Sequence, residues 1–515
     1  MIISLSVLVI TIIVSGTYAL YKAQLSKNIG VNTTTHGLAY YINYVKGTDI
    51  TAATLNPSTS YEGGASSDIE FWKKDDSYDI YGKIELTVNT IGTNLSNSPA
   101  LKYAVVNNGN VLKEGSLKGT TSGSKVTILK NLYLEQTKQI YTVYVWLDNS
   151  EELGNISNES LSISVDCTAS LQKEPTAADT IISLYTSAEK VTVTNNSIKY
   201  NTAPSVSLMN DRLGGTTTDL DGGNIRYYGA SPNNYIYFNC SDYSNQTSST
   251  CETWRIIGVF DGKLKLIRGS QIGTYSWDNK NTSTGEESNF GKNDWTTARL
   301  MKLLNPVDYY INDNNDKDSE GNYLGYSLYY NSTSGKCYSG QNNATVDCDF
   351  TSTGIKNDET RNMIAETTYN LGGWNTFTVY PNEIYEYERG TTVYTGRLPT
   401  WTGKIALAYP SDYGYAADLN QCVNKQLNKY NDSTCTSNNW MKSIITNNGS
   451  NPGWLLTPHS NYSYIAWGVI LSGIMGGNRA YYSSYGAAPV LYLSSELGIE
   501  SGGDGSSSNP YKLSA

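Results

Sequence analysis

The chain has almost no histidine: His36 and His459 are the only two among 515 residues. This scarcity nearly excludes histidine-rich metal sites and weakens the case for a Ser-His-Asp triad. The GxSxG, HExxH and CxxC patterns of hydrolases, zinc enzymes and redox proteins are also missing. The segment 285–293 resembles a phosphate-binding loop, but its spacing is one residue too long. We therefore expect no catalytic residues and interpret 285–293 as an ordinary surface loop.

Charged residues are also scarce, at 16% of the chain, and no run of Lys or Arg occurs. With 37 Lys and Arg against 47 Asp and Glu, the formal net charge is −10. An acidic chain without a basic stretch is not expected to bind nucleic acid. Phenylalanine occurs 6 times and tyrosine 43 times, which favours half-exposed β-sheet surfaces over a purely apolar core.

One apolar run, from Ile2 to about Tyr21, predicts a signal peptide or membrane anchor over residues 1–21. Two lysines follow the run and no basic residue precedes it. The positive-inside rule alone would therefore leave the body of the chain in the cytoplasm. Because long domains translocate largely regardless of a few charges, we expect export instead, with a membrane contact only through this segment. A buried N-terminal strand or helix is the alternative.

Six of the seven cysteines form three neighbouring pairs in the sequence, with 10, 10 and 12 residues between the members. Six cysteines allow about fifteen connectivities, but pairing between neighbours is the simplest hypothesis. It predicts three disulfides: Cys240–Cys251, Cys337–Cys348 and Cys422–Cys435. Such local disulfides indicate an oxidising, extracytoplasmic compartment rather than zinc or thioredoxin-type chemistry. Cys167 ends an alternating strand at 161–167 on its apolar face, so we expect a buried free thiol.

The first third of the chain has the period of β-strands. Apolar and polar residues alternate at 83–89 and 139–147, and Asn, Gly and Ser separate such segments. No convincing helix pattern is present in this part of the sequence. The pattern predicts an all-β, immunoglobulin-like sandwich over 22–170.

The rest of the chain mixes strands with short helices. Residues 171–204 carry a short helix pattern followed by turn-forming residues, and we interpret them as a linker. In the domain predicted over 205–500, Asp261-Gly262 joins two apolar runs as a hairpin turn. The last strands are predicted at 465–471, 479–485 and 489–493, and a C-terminal tail at 501–515. This mixture is typical of the α+β class, so the whole chain is predicted to be multidomain.

Several short motifs of the second domain together carry a family resemblance. They are WRIIG at 254–258, NDW at 293–295, GKIAL at 403–407, YPSDYGYA at 409–416, NNW at 438–440, WLLTP at 454–458 and PVLYL at 489–493. With these motifs the chain resembles, over about 205–513, a family of exported surface proteins from low-GC Gram-positive gut bacteria. The resemblance implies a C-type-lectin-like fold, which formylglycine-generating enzymes and the variable proteins of diversity-generating retroelements share.

The N-terminal part carries a looser resemblance. The leader SGTYA at 15–19, followed by a β-sandwich pattern, resembles camelysin-like surface and biofilm-fibre proteins over about 1–170. This resemblance implies a stalk or fibre module that carries the lectin-like head away from the cell.

An Asp- and Asn-rich segment is the candidate metal site of the sequence. Counting from Asp316 places Asp316, Asp318 and Glu320 at the first three side-chain ligand positions of a calcium loop. Ser327 stands where an EF-hand has its bidentate glutamate, so the segment is not an EF-hand. The same residue types also form ordinary soluble turns. A structural calcium ion is therefore a hypothesis, and no other cofactor is expected.

The stretch between Pro458 and Ala488 is rich in Tyr, Ser, Gly and Asn, the residues that antibody paratopes use. In retroelement variable proteins, which the chain resembles, the diversified codons lie in this part of the fold. The resemblance implies a ligand-binding patch made of Tyr462, Tyr464, Trp467, Asn478, Tyr481, Tyr482 and Tyr485. The alternative is that some of these side chains pack in the core, because Tyr and Asn are common throughout the chain. The segment Tyr380-Pro381-Asn382-Glu383 only faintly resembles the sugar-coordinating calcium motif of true lectins.

Together these features predict a secreted or surface-attached, adhesin-like protein that binds a host or bacterial protein or glycan and catalyses no reaction. One alternative is a structural fibre or biofilm-matrix subunit that assembles through exposed edge strands. A second alternative is an enzyme of the formylglycine-generating type, which would need a reactive cysteine pair in a cleft.

Overall fold

The computed structural model describes residues 23–25, 41–51, 55–151, 153, 156, 159–212, 223–280, 285–310, 325–341 and 343–514. The chain divides into two compact units, Met1–Glu174 and Pro175–Ala515. Both units are built mostly of β-sheet with short helices. None of the described helices has both the length and the apolar character needed to cross a membrane. The leader predicted at 1–21 lies outside the described residues.

The first unit contains two sheets. In spatial order the first is β1 (Ala23–Leu25), β11 (Leu161–Ser170), β6 (Tyr81–Ile91) and β9 (Lys125–Tyr133), with β3 (Ile50–Thr51) beside β11. The second is β2 (Ile42–Val45), β5 (Ala65–Lys73), β10 (Ile140–Asp148), β7 (Leu101–Asn107) and β8 (Asn110–Ser116), with β4 (Pro57–Ser58) beside β10. A short helix, α1 (Thr93–Asn97), and a 3-10 turn at Tyr61–Gly63 complete the unit.

Alternating side chains explain why this unit forms two layers around one core. Along β6, Gly82, Ile84, Leu86 and Val88 are buried while their neighbours remain partly exposed. Because successive side chains of a strand point to opposite faces, each sheet presents one apolar face. The buried residues of both sheets form a single hydrophobic cluster. The strands predicted by alternation in this unit are confirmed, and the immunoglobulin-like topology stays a prediction.

The second unit is organised around one antiparallel sheet. In spatial order it contains β12 (Val191–Asn195), β13 (Ile198–Ala203), β14 (Leu208–Asn210), β15 (Ile225–Tyr227), β17 (Glu252–Phe260), β18 (Lys263–Arg268), β27 (Val490–Tyr492) and β23 (Ile405–Ala406), with β16 (Tyr235–Phe238) beside β17. The turn between β17 and β18 is the predicted hairpin: Asp261 and Gly262 have φ values of 48° and 72°. Two consecutive positive φ angles are what a type I′ turn requires, which is why this dipeptide suits it.

Smaller sheets and short helices surround that sheet. The sheets are β19 (Ser334–Cys337) with β20 (Val346–Asp349), β21 (Thr367–Asn370) with β22 (Thr400–Gly403), β24 (Gly453–Pro458) with β25 (Ile465–Val469) and β26 (Met475–Arg479), and β28 (Gly498–Ile499) with β29 (Leu513–Ser514). The helices are α2 (Ala177–Ser187), α3 (Glu287–Phe290), α4 (Arg299–Leu304), α5 (Asp358–Met363), α6 (Pro381–Glu388), α7 (Pro410–Tyr415), α8 (Ser433–Ser437) and α9 (Trp440–Ile445). The 3-10 turns are Pro204–Val206, Trp295–Thr297, Val307–Tyr309, Leu427–Lys429 and Asn447–Gly449.

Two predicted boundaries are wrong. The supposed linker at 171–204 contains α2, β12 and β13, because Ile181 and Tyr185 of α2 are fully buried in the second unit's core. Thr176 caps this helix by accepting a hydrogen bond from the backbone N–H of Asp179 (3.1 Å). The supposed tail at 501–515 includes β29, and its Tyr511 is buried. Residues 175–204 and the C-terminal segment therefore belong to the folded second unit.

The three predicted disulfides are confirmed: Cys240–Cys251, Cys337–Cys348 and Cys422–Cys435 are bonded. They lie in the second unit and close loops of similar length. Cys167 is free and buried on β11, as expected. Three disulfides in one chain indicate an oxidising environment.

We expect the native chain to show no reactive thiol and the unfolded, unreduced chain to show one. Burial raises the pKa of the Cys167 thiol well above its ordinary value, so it stays protonated and shielded from reagents. Titration with a thiol-specific chromophore, before and after addition of guanidinium chloride, measures both numbers. Two or more reactive thiols in the native chain would contradict the disulfide assignment and reopen cysteine-based catalysis.

Candidate functional site

The predicted patch lies on the small sheet of β24, β25 and β26 and on its two turns. Residues 459–464 connect β24 to β25, and residues 480–485 follow β26. The strand predicted at 479–485 is wrong, because β26 ends at Arg479, whose carbonyl oxygen accepts a hydrogen bond from the Tyr482 amide (3.0 Å) in a turn. The real strand includes Gly476 and Gly477, residues that are disfavoured in strands and therefore hid it from the sequence pattern.

The seven predicted residues divide into two groups by exposure. Tyr462 is 48% exposed, and the partly buried members are Tyr464, Asn478, Tyr481 and Tyr482. Trp467 and Tyr485 are 0% and 4% exposed, so their assignment as direct ligand contacts is corrected to a supporting role. Trp467 is covered by the His459 and Phe377 rings, and the Tyr485 ring stacks on Trp454, with 4.3 Å between ring centroids.

Five aromatic rings form a continuous row at this surface, and we call the row of Tyr462, Tyr464, Phe290, Tyr481 and Tyr482 the aromatic surface. Neighbouring ring centroids are separated by 5.9 Å (Tyr462–Tyr464), 5.1 Å (Tyr464–Phe290), 6.2 Å (Phe290–Tyr481) and 4.9 Å (Tyr481–Tyr482). These are ordinary distances for interacting aromatic pairs. The rings therefore support one another and present a preorganised surface.

Phe290 is the member that the sequence interpretation missed. It ends α3, inside the segment 285–293 that was interpreted as an ordinary loop. Four of the six phenylalanines are buried, and the other two are Phe290 and Phe377, which is 46% exposed. Phe377 packs edge-on against Trp467 beneath the same region (5.2 Å between centroids). The signal available in the sequence was Phe290 itself, because phenylalanine is rare in this chain and the rest of segment 285–293 is polar.

The side chain of Asn293 holds the turn that carries Tyr462 and Tyr464. Its amide nitrogen donates hydrogen bonds to three carbonyl oxygens of the turn, those of His459 (3.0 Å), Tyr462 (2.7 Å) and Ile465 (2.9 Å). Its backbone N–H donates to the carbonyl oxygen of Ser463 (2.8 Å). Asn293 is 1% exposed, so these bonds are shielded from water and fix the position of the turn.

An ion pair supports the same turn. The guanidinium group of Arg397 pairs with the Glu287 carboxylate at the start of α3 and also donates to the carbonyl oxygen of Ser463 (3.3 Å). Both side chains are largely buried. The pair thus connects α3, which carries Phe290, to the turn that carries Tyr462.

His459 lies beneath the row of rings and stays neutral. Its imidazole stacks on the Trp467 indole, with 5.3 Å between centroids, and contacts the Tyr462 ring at 4.9 Å. Burial lowers the pKa of His459 to about 4. At neutral pH the uncharged ring accepts a hydrogen bond at Nδ1 from the Asn461 amide (3.1 Å). His459 is therefore a packing residue of this region.

Two cations lie on the faces of rings in the aromatic surface. The Arg479 guanidinium is 4.0 Å from the Phe290 ring centroid, and Lys280 Nζ is 4.7 Å from that of Tyr481. Burial, together with the nearby Glu286, raises the pKa of Tyr464, so its hydroxyl is protonated at neutral pH. The surface thus offers aromatic faces, hydroxyl groups and two positive charges to a ligand.

A buried charge cluster elsewhere in the second unit has a structural geometry. The Asp412 carboxylate pairs with Arg226 (2.9 Å) and with Lys265 (2.5 Å), and Arg226 also pairs with Asp211 (2.5 Å). All four side chains are at most 2% exposed. Because every carboxylate meets a cation and none reaches solvent, the cluster is a closed ion-pair network.

Two Tyr-Pro-x-acid segments have the same helix-starting role. Asp412 accepts a hydrogen bond from the Tyr409 amide (2.9 Å) at the start of α7, and Glu383 accepts one from the Tyr380 amide (2.9 Å) at the start of α6. In both, proline occupies the first helical position and the acid lies in the first turn. The faint resemblance of 380–383 to a lectin calcium motif thus coincides with a helix cap.

Within the described residues, no group of three or more His, Cys, Asp or Glu side chains is arranged to hold a metal ion. The predicted calcium ligands Asp316, Asp318 and Glu320 lie outside the described residues. The calcium hypothesis therefore stays a prediction from the sequence.

No protein-family model and no curated protein matches this chain. Among solved structures, the receptor binding domain of botulinum neurotoxin mosaic serotype C/D is 12% identical, with a TM-score of 0.15, over 49% of this chain and 74% of that one. The botulinum neurotoxin serotype C1 binding domain is 7% identical (TM-score 0.13; 47% and 71% covered). PBCV-1 VP54, fitted into a reconstruction of the virophage Sputnik, is 9% identical (TM-score 0.14; 91% and 86% covered). TM-scores of this size do not indicate a shared fold.

Proposed function

We propose that this chain is an exported, adhesin-like binding protein, secreted or attached to the cell surface, and that the aromatic surface contacts its ligand. The observation that carries the proposal is the row of five rings, assembled from three separate segments and backed by buried Asn293 and Arg397. A monomeric protein does not need to hold partly exposed aromatic rings in one place, and such patches mark interaction sites. Tyr-rich surfaces also bind at low entropic cost, because each ring has few rotatable bonds.

The proposal includes the architecture implied by the family resemblance. The first unit is proposed to be an immunoglobulin-like stalk, and the second a C-type-lectin-like head from the gut-bacterial surface family. Support for export comes from the three disulfides, which an oxidising compartment maintains. We further propose that the chain is not an enzyme. In support, six cysteines form disulfides, and the seventh, Cys167, is buried. The reactive cysteine pair that a formylglycine-generating reaction needs is therefore not free.

Binding by the full chain to arrays of host and bacterial glycans and purified surface proteins tests the proposal. We expect at least one ligand whose affinity falls about tenfold or more in the Tyr462→Ala variant, because an exposed ring at the centre of a contact is a typical hot spot. Tyr78→Ala is the matched control, since Tyr78 is 45% exposed against 48% for Tyr462 but lies in the first unit. Thermal melts establish that both variants fold.

A structural surface-fibre subunit is the second candidate function, and one observation favours it. The strand β8 is at the edge of its sheet, and Val111 and Leu112 on it are 42% and 41% exposed. An exposed apolar edge strand can pair with another copy of the chain. Concentration-dependent assembly that Val111→Lys abolishes, with no ligand found in the array, would favour this function over ligand binding.

A further inference from the structure

The charged groups at the aromatic surface indicate which kind of ligand binds there. Arg479 is exposed, and the structure gives its guanidinium group no carboxylate partner among the described residues; the same holds for Lys280. Five other arginines of the second unit are ion-paired: Arg226, Arg268, Arg361, Arg389 and Arg397. Buried Arg255 donates instead to the Pro232 carbonyl oxygen (3.2 Å). The chain as a whole is acidic, with a net charge of −10. Arg479 and Lys280 thus place two positive charges on neighbouring rings of an acidic chain.

We infer that the partner of the aromatic surface is a protein whose contact face carries carboxylate groups that meet Arg479 and Lys280. This inference rests on the proposed binding function and deepens it. The Arg479 guanidinium lies 4.0 Å from the Phe290 ring centroid and is exposed, and a guanidinium group can donate two parallel hydrogen bonds to one carboxylate. Lys280, held on the adjacent Tyr481 ring, supplies a second positive charge beside the first.

A protein face fits this surface better than a sugar does. The cations already occupy one face each of Phe290 and Tyr481, so these faces are not open for stacking on a sugar ring. The groups that remain are half-exposed Tyr462 and Phe377, partly buried Tyr464 and Tyr482, and the Arg479 guanidinium. Tyr, Phe and Arg are the side chains enriched at the centres of protein–protein interfaces. Charge complementarity then selects an acidic partner and raises the rate of association.

Glu286 is the acidic group near these rings, and it does not neutralise the surface. Its carboxylate interacts with the Tyr464 hydroxyl, on which the Arg479 charge also acts. The adjacent Glu287 is already paired with Arg397. The adjacent segment 281–284, which the structure does not describe, contains no acidic residue. Among the described residues near these rings, one acid that is engaged with a hydroxyl thus stands against two cations.

Selection from a random-sequence peptide library displayed on phage, with the full chain as bait, tests the inference. We expect peptides that bind wild type but not Tyr462→Ala, and we expect them to be enriched in Asp and Glu. Their affinity should fall about tenfold in Arg479→Gln and decrease with added salt. A second selection on the Lys280→Glu/Arg479→Glu variant should enrich Lys and Arg instead. Lys199→Glu, an exposed lysine on β13, is the control for net charge and should leave the affinity unchanged.

The outcomes separate this inference from the proposed function. Tyr462-dependent peptides without acidic enrichment, or Tyr462-dependent binding only to glycans in the array, would overturn the acidic protein partner and leave the binding function standing. No Tyr462-dependent ligand of any kind would overturn both. Equal loss of affinity in Lys199→Glu and Arg479→Gln would show a general charge effect and would also overturn the inference.

Discussion

Replacing Asp412 by alanine is expected to lower the free energy of unfolding of the second unit by about 3–5 kcal/mol, because two buried cations lose their common carboxylate. Lys265 and Arg226 are 0% and 1% exposed, so water cannot replace the lost partner. The Tyr409 amide at the start of α7 also loses its acceptor. Guanidinium denaturation followed by tryptophan fluorescence reports this unit, since all tryptophans except Trp72 and Trp146 lie in it.

The control for Asp412 is an ion pair at the surface. Asp347 pairs with Lys336, but its side chain is 89% exposed, so Asp347→Ala should leave the denaturation midpoint nearly unchanged. Equal effects of the two substitutions would contradict a stabilising role for the buried network.

Burial raises the pKa of Asp412, but Lys265 and Arg226 outweigh burial and hold that pKa below its usual value. The carboxylate therefore stabilises the fold fully at neutral pH, and this contribution is lost as the pH falls through the lowered pKa.

The Trp467→Ala substitution should also cost about 3–5 kcal/mol of stability, because it leaves a large cavity in the core. The indole is fully buried, with the His459 ring stacked on it and the Phe377 ring against its edge. Both contacts lie beneath the turn that carries Tyr462, so ligand binding should weaken in the same variant. Denaturation midpoints and the affinity for a Tyr462-dependent ligand are the two measurements.

Two matched variants distinguish support from direct contact. Trp467→Phe keeps most of the apolar volume and should recover most of the stability and the binding. Tyr462→Ala removes an exposed ring and should weaken binding with little change in the denaturation midpoint. If Trp467→Ala unfolded at the wild-type midpoint but lost binding, Trp467 would contact the ligand, as the sequence alone suggested.

Features that depend on neighbouring residues were predictable from the sequence. The three disulfides join cysteines that are close along the chain, and the Asp261-Gly262 turn needs only two positive φ angles. Alternation identified β6, β10 and β11, because a strand with one buried face repeats every two residues. The helix α2 was anticipated by its pattern, although its place in the core was not.

Other features could not be predicted from the sequence, because the contacts that determine them join residues that are distant in sequence. Segment 285–293 places Phe290 in a row of rings contributed from beyond residue 460, and the lone Phe in this polar segment does not indicate which residues it contacts. In the charge cluster, Asp412 of α7 pairs with Arg226 of β15 and with Lys265 of β18. These two strands lie on either side of β17 in the main sheet. Residues 171–204 contain turn-forming residues, but the buried face of α2 makes residues 175–204 part of the second unit.

The sequence by itself determined the β-rich character of the chain, the disulfide pairing and the Tyr-rich C-terminal stretch. Only the tertiary structure decided which aromatic side chains reach the surface, because Tyr462 and Trp467 belong to the same short stretch and yet are 48% and 0% exposed. It also decided that Arg479 and Lys280 stand on these rings without carboxylate partners among the described residues. Exposure and charge pairing depend on packing between distant segments, and packing is a property of the folded chain.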